Sequence, residues 1–177
     1  MDIKKFRRVV TGVDTNGRAI VVSDEHANNI LHRETRPGVA LTNLWQIGIE
    51  KQSFSGFQDT VSGPFVLHPP KRGSVFRVIQ FDPEDKEFIK NVDGKKAFAA
   101  MGASSNIIAN ARHPYMHKTE SVDYSIVLKG SITMLLDEDD VELKEGDVVI
   151  QRGTNHAWSN KGTESCFMLF VLNDMSY

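Results

Sequence analysis

A single cysteine, Cys166, stands among 177 residues, so no intrachain disulfide can form. It lies in the apolar run from Cys166 to Leu172 and reads as a small buried hydrophobe. A reactive thiol would need cationic neighbours to lower its pKa, and the local sequence has none. Long hydrophobic runs are also missing. The longest, Phe167 to Leu172, falls far short of the roughly 20 apolar residues a membrane-spanning helix needs. The N-terminal segment carries charges with no apolar stretch behind them, which argues against a secretory leader. Neither sign of charge is in excess. With 21 basic and 23 acidic residues the formal net charge is -2, so no broad attraction to nucleic acid or to an anionic membrane is expected. The basic cluster Lys4, Lys5, Arg7 and Arg8 is short and reads as a solvated, frayed terminus. The chain shows no fixed-period repeat, no low-complexity segment and no helix-turn-helix pattern, and the last absence disfavours a transcription factor. These exclusions point to a soluble, cytoplasmic globular chain, long enough to bury a real core.

What the chain does have is alternation. Residues 7–13 and 18–23 are apolar and β-branched and flank Asp14-Thr15-Asn16-Gly17, a hairpin signal in which Asn16 and Gly17 supply positive φ values. Residues 25–38 read as loop, 39–49 as a strand region carrying Trp45, and 67–73, with Pro69 and Pro70, as a rigid connector. Ser74 to Phe81 alternates and reads as a strand. Its one charge, Arg77, either faces solvent or an ion-pair partner, or binds an anion such as a carboxylate. Asp82-Pro83 followed by Glu84 and Asp85 predicts a helix start, with one short helix ending near Asp93-Gly94 and a second helical turn over 95–101. Beyond Asn106, strands are expected at 107–112, 115–118, 124–129, 131–136, 141–143, 148–151, 157–160 and 165–171. Short, closely spaced strands with Gly and Asp turns predict an all-β antiparallel barrel or sandwich.

Alternate residues of a strand share a face. His117 and Thr119 therefore point one way, as do Asp123, Ser125 and Val127, and as do His156, Trp158 and Asn160. If these strands close on one interior, His117, Asp123 and His156 bring together two imidazoles and one carboxylate, the ligand set of a facial triad. Imidazole suits several first-row metals, so the ligands alone do not choose one, and a plain hydrogen-bonding role for Asp123 stands equally with ligation. Thr119, Ser125, Gln151 and Trp158 are the candidate pocket-lining residues, and Trp158 serves equally well as a barrel-filling side chain. Glu120 is expected to turn outward. His113 is expected in a loop, with a reserve role as a substitute ligand, and His26, His32 and His68 are expected to be exposed.

The two histidine-bearing ends resemble the two sequence motifs of the cupin superfamily, specifically its small conserved-barrel members. The first motif has the form H-x-H, three or four residues, E, six residues, G. His117, Lys118, Thr119, Asp123 and Gly130 occupy that frame. The second has the form G, an apolar run, P-x-G, two residues, H, three residues, N. Gly146, Gln151, Gly153, His156 and Asn160 follow it, with one residue fewer after Gly146. The resemblance covers about Asn106 to Asn173 and implies a double-stranded β-helix, or jelly-roll barrel, over 105–177. Residues 1–104 would then form a β-rich extension with one or two short helices, packed on the barrel or on a partner subunit. It also implies a divalent transition metal (Fe, Mn, Ni or Zn) held by His117, His156 and Asp123, a small-molecule substrate, dioxygenase, isomerase or decarboxylase-like chemistry, and a homodimer formed through a sheet face such as Tyr124, Ile126 and Leu128. Three positions depart from the family pattern. Thr119 replaces the second histidine, Asp123 the glutamate and Gln151 the proline, and the alternative they raise is a metal-free barrel that binds a small ligand without catalysis.

Overall fold

The computed structural model describes residues 1–50, 52–99, 103, 106–108 and 110–175. Strands β1 (Arg7–Val13) and β2 (Ala19–His26) form a separate antiparallel hairpin. Next come β3 (Asn29–Arg33), β4 (Arg36–Ile47) and β5 (Ser74–Phe81), then the short helices α1 (Lys86–Asn91) and α2 (Gly94–Ala99). The remaining strands are β6 (Ser121–Lys129), β7 (Ser131–Leu135), β8 (Asp140–Lys144), β9 (Val148–Arg152), β10 (Ala157–Ser159) and β11 (Cys166–Asp174). They build a six-stranded sheet in the order β3-β4-β5-β11-β6-β9, faced by a three-stranded sheet in the order β10-β7-β8. Every pairing among them is antiparallel. The larger sheet is continuous across the two halves of the chain, because β5 pairs with β11 over its whole length.

Period-two patterning decides which residues face inward. Ser121, Asp123, Ser125 and Val127 on β6 are buried, and so are Cys166, Met168, Phe170 and Leu172 on β11. Val75, Val127, Ile132, Met134, Trp158, Met168 and Phe170 fill the space between the sheets. A second cluster of Leu31, Leu41, Leu67, Phe98, Tyr115 and Met116 packs under α2 and the connecting loops, and Val39 and Ile79 contact both. Full burial of a side chain such as Met168 or Phe170 contributes about 1.5–3 kcal/mol. Cys166 sits in this core, as its setting predicts, and burial pushes its thiol up to about 11.

The structure departs from the expected elements in several places. Residues 25–38 are not loop, because β2 continues to His26, β3 follows at once and β4 begins at Arg36. The polar composition that suggests a loop reflects strands exposed at the sheet edge. The 14–17 turn places Gly17 alone at positive φ (76°), and Asp14 closes it by accepting hydrogen bonds from the Asn16 and Arg18 amides through Oδ1. The strands expected at 107–112 and 115–118 reduce to isolated bridges, Ile107 to His117 and His117 to His156, because Pro114 interrupts any ladder (residue 109 lies outside the described set). The first helix starts after Asp85, whose carboxylate caps it by accepting from the Glu87 and Phe88 amides. The second helix is present as α2, and residue 101 lies outside the described set. The basic N-terminal cluster is not frayed. Arg7 bonds Asp24 with two hydrogen bonds, and the largely buried Arg8 bonds Asp59 in the same way. No helix among the described residues is long and apolar enough to cross a membrane.

Candidate functional site

His117 and His156 meet across an antiparallel bridge. Each backbone amide donates to the other residue's carbonyl, at 2.9 and 3.0 Å, so the two side chains leave the same face of the bridge. Their ring centroids lie 4.4 Å apart. Each Nδ1 lies 3.0 Å from a backbone carbonyl two residues earlier, that of Tyr115 for His117 and that of Thr154 for His156. Gln151 Nε2 also lies 2.9 Å from His156 Nδ1. Its two hydrogens, however, already have oxygen partners in the Thr154 carbonyl and hydroxyl, and its Oε1 accepts from the Gly153 amide. The network therefore puts the proton of both histidines on Nδ1, facing a carbonyl, and leaves both Nε2 lone pairs free. Burial pushes His156 down to about 4. Burial and the adjacent His156 ring push His117 well below its ordinary value. Both imidazoles are neutral at pH 7.

The walls of this site come from several elements. Phe98 of α2 stacks on His117 with centroids 4.7 Å apart. A Cβ at Gly94 would collide with the Pro114 carbonyl, so only glycine lets α2 approach the 113–117 segment this closely. Trp158 stands edge-on between His156 (5.8 Å) and Phe170 (5.6 Å) and belongs to the core. Arg36 lies over the Tyr115 ring at 4.6 Å and the Phe98 ring at 5.6 Å.

The other sequence-nominated residues fall around the pair. Thr119 is buried and accepts from the Ser121 hydroxyl at 2.8 Å. Ser125 donates to the Val149 carbonyl at 3.4 Å. Asp123 is buried opposite Gln151 in the β6–β9 register, and its Oδ1 has no partner. Burial pushes its carboxyl up to about 6, against the opposing pull of Ser121 and Arg77. Glu120 is exposed, as expected. His113 is buried, with Nε2 3.2 Å from Glu84 Oε1, and Ser159 donates to the other Glu84 oxygen. It braces the entry to α1 and does not substitute for a ligand. His26 and His32 are exposed, but His68 is half-buried, and burial followed by the Arg77 charge lowers its pKa. Arg77 neither faces solvent nor forms an ion pair among the described residues. It is 1% exposed and donates to the Val66 and Leu67 carbonyls. Phe98, Arg36 and His68 are the neighbours that sequence reasoning missed, since no motif marks them.

The donor set as placed does not fit a three-ligand metal centre. Two imidazoles converge, and no three His, Cys, Asp or Glu residues among those described are grouped to hold a metal.

Comparison with known proteins agrees with this architecture. Residues 105–172 match the Cupin domain family. The chain is 55% identical over 173 residues to "Phomopsin biosynthesis cluster protein D" of Diaporthe leptostromiformis, covering 90% of this chain and 73% of the relative. It is 29% identical over 180 residues to "Cupin-domain-containing oxidoreductase fogC" of Aspergillus ruber, covering 97% and 74%. Among solved structures it is similar to a cupin superfamily protein from Desulfitobacterium hafniense, with TM-score 0.37 and 12% identity over 57% of this chain and 67% of that one. With both histidine-bearing motifs on one barrel and its family domain matched across them, the chain belongs to the cupin superfamily.

Proposed function

We propose that this protein is an enzyme that transforms a small molecule inside the barrel, with His117 and His156 as the groups that meet the reacting atoms. One observation carries the reading: the half-buried His117 and the buried His156 share a face as neutral imidazoles, each Nδ1 held by a carbonyl and each Nε2 without a hydrogen-bond partner among the described residues. Neutral imidazoles held in one tautomer present Nε2 lone pairs that can accept a hydrogen bond from a substrate hydroxyl and orient it. The relatives named as a cupin oxidoreductase and as a biosynthesis-cluster protein support an enzymatic role in making a small molecule. To test this, a metabolite extract of the source organism is incubated with wild type and with His117→Ala/His156→Ala, and profiled by mass spectrometry. The wild type should consume at least one compound that the variant leaves intact, in the presence of chelator. If the wild type consumes nothing, or if the variant consumes the same compound, the proposal fails. Stoichiometric Fe, Mn, Ni or Zn in the wild type that disappears in the variant would replace this reading with a metal-based one. A non-catalytic ligand-binding barrel is the second reading, favoured by Thr119, whose hydroxyl is engaged by Ser121 where the family's second histidine would stand.

We also propose a homodimer through the outer face of the six-stranded sheet. Phe76, Tyr124, Leu128, Val148 and Ile150 are all exposed there, and Tyr124 lies directly opposite Ile150. Light scattering should give twice the chain mass for wild type and the chain mass for Tyr124→Glu with Ile150→Glu. A monomeric wild type would refute the dimer.

A further inference from the structure

Gln151 on β9 is 2% exposed, and its side-chain amide ends beside the His156 ring. The orientation of that amide is fixed by its surroundings. The Gly153 amide can only donate, so the atom it meets at 3.0 Å is Oε1. Nε2 then faces three possible acceptors. The Thr154 carbonyl lies at 2.7 Å, the Thr154 hydroxyl oxygen at 3.1 Å and His156 Nδ1 at 2.9 Å. An amide nitrogen carries two hydrogens, so one of the three goes without.

The position of the His156 proton follows from which one that is. Nδ1 also lies 3.0 Å from the Thr154 carbonyl. A bare Nδ1 would turn its lone pair on that oxygen, whereas a protonated Nδ1 donates to it. The carbonyl and the hydroxyl take both Gln151 hydrogens, so no donor remains to meet a bare Nδ1. The Thr154 hydroxyl is the deciding group. Without it, one Gln151 hydrogen is left in a buried place with Nδ1 as its nearest remaining acceptor. Buried donors are nearly always satisfied, and Nδ1 can accept only if the proton moves to Nε2. His117 has no such device, because its Nδ1 meets the Tyr115 carbonyl alone among the described residues. The side chain of a proline, which the family pattern places at position 151, could make none of these bonds.

We propose that Gln151 and Thr154 are positioning residues that together select the Nδ1–H tautomer of His156 and so present its Nε2 to the substrate as an acceptor. Both act through Nδ1, and neither touches the reacting atoms. The inference rests on His156 meeting the substrate, as proposed above.

The test is a two-bond proton–nitrogen correlation spectrum of the full chain, labelled with nitrogen-15, at pH 7. Protonated and bare ring nitrogens separate there by chemical shift, and the His156 signals are assigned by their loss in His156→Ala. Wild type should show Nδ1 protonated and Nε2 bare. Thr154→Val keeps the side-chain shape and removes the hydroxyl, and its His156 should carry the proton mainly on Nε2. Thr154→Ser should keep the wild-type pattern. Adding Gln151→Met to Thr154→Val removes the amide that captures Nδ1 and should return the proton to Nδ1, a reversal that simple loosening of the turn would not produce. In the metabolite incubation, consumption should fall roughly tenfold in Thr154→Val and be retained in Thr154→Ser. The proposal is overturned by a wild-type His156 protonated on Nε2, by a Thr154→Val variant that keeps the proton on Nδ1, or by a change of tautomer with no loss of consumption. If the wild type consumes nothing, the enzyme reading fails by itself, and the spectra still support or overturn the tautomer selection.

Discussion

Phe98→Ala should lower the stability of the protein by about 3–5 kcal/mol in chemical denaturation and release His117 toward its ordinary imidazole pKa. Phe98 is 1% exposed and packs in the cluster with Leu31, Leu41, Leu67, Tyr115 and Met116. Its ring also covers His117 at 4.7 Å and lies beneath the Arg36 guanidinium at 5.6 Å. Helix α2 has only six residues and could not persist alone, so burial of Phe98 and the close approach at Gly94 hold it in place. Truncation leaves a cavity and admits water beside His117, whose pKa is depressed first by burial. The check is a urea titration combined with an NMR pH titration of the His117 ring. Phe98→Leu should keep most of the stability and leave His117 depressed. If Phe98→Ala destabilises the fold but leaves the His117 midpoint unmoved, the residue is packing alone and does not shield the site.

The barrel was legible because its signals are local. Ser74 to Phe81 is rich in β-branched and aromatic residues and Cys166 to Leu172 is a short apolar run, and the structure pairs the two along their length. The His117–His156 pairing could be anticipated because the residues near each histidine set its place in a recurring frame, and the bridge between the two bears this out. The setting of Arg77 was not legible. A charge within an alternating strand suggests solvent or an ion pair, yet its partners are the carbonyls of Val66 and Leu67 in a loop some ten residues earlier. The burial of His68 was missed for the same reason, since the loop after β4 returns over the barrel only once the sheet exists. β3 was hidden because an exposed edge strand carries the polar composition of a loop. Phe98 was invisible as a site residue, because an apolar side chain on a short helix reads as core whatever it covers.

Acidification from pH 7 to pH 5 should cost Asp123→Asn about 1 kcal/mol more stability than it costs the wild type, whereas His156→Gln should lose about 2 kcal/mol less. The signs follow from the direction of each shift. The folded pKa of His156 lies near 4, below the value of roughly 6.5 in the unfolded chain, so its contribution is complete above pH 6.5 and is lost as pH falls toward 4. His117 is depressed as well and loses stability over the same range. Asp123 opposes them. Its folded pKa near 6 lies above the unfolded carboxylate value of about 3.9, so its contribution is complete below 3.9 and is lost as pH rises through 6. Lowering the pH to 5 therefore restores part of what the histidines take away. In the wild type Asp123 nearly offsets His156, and His117 decides that the net change is a loss. Asp123→Asn removes the offset, and it also removes a buried, incompletely paired charge, so at pH 7 this variant should be more stable than wild type. Urea unfolding at pH 7 and pH 5 measures all three proteins. Parallel losses across them would show that neither Asp123 nor His156 has the protonation behaviour its burial dictates, and that the barrel interior is open to water.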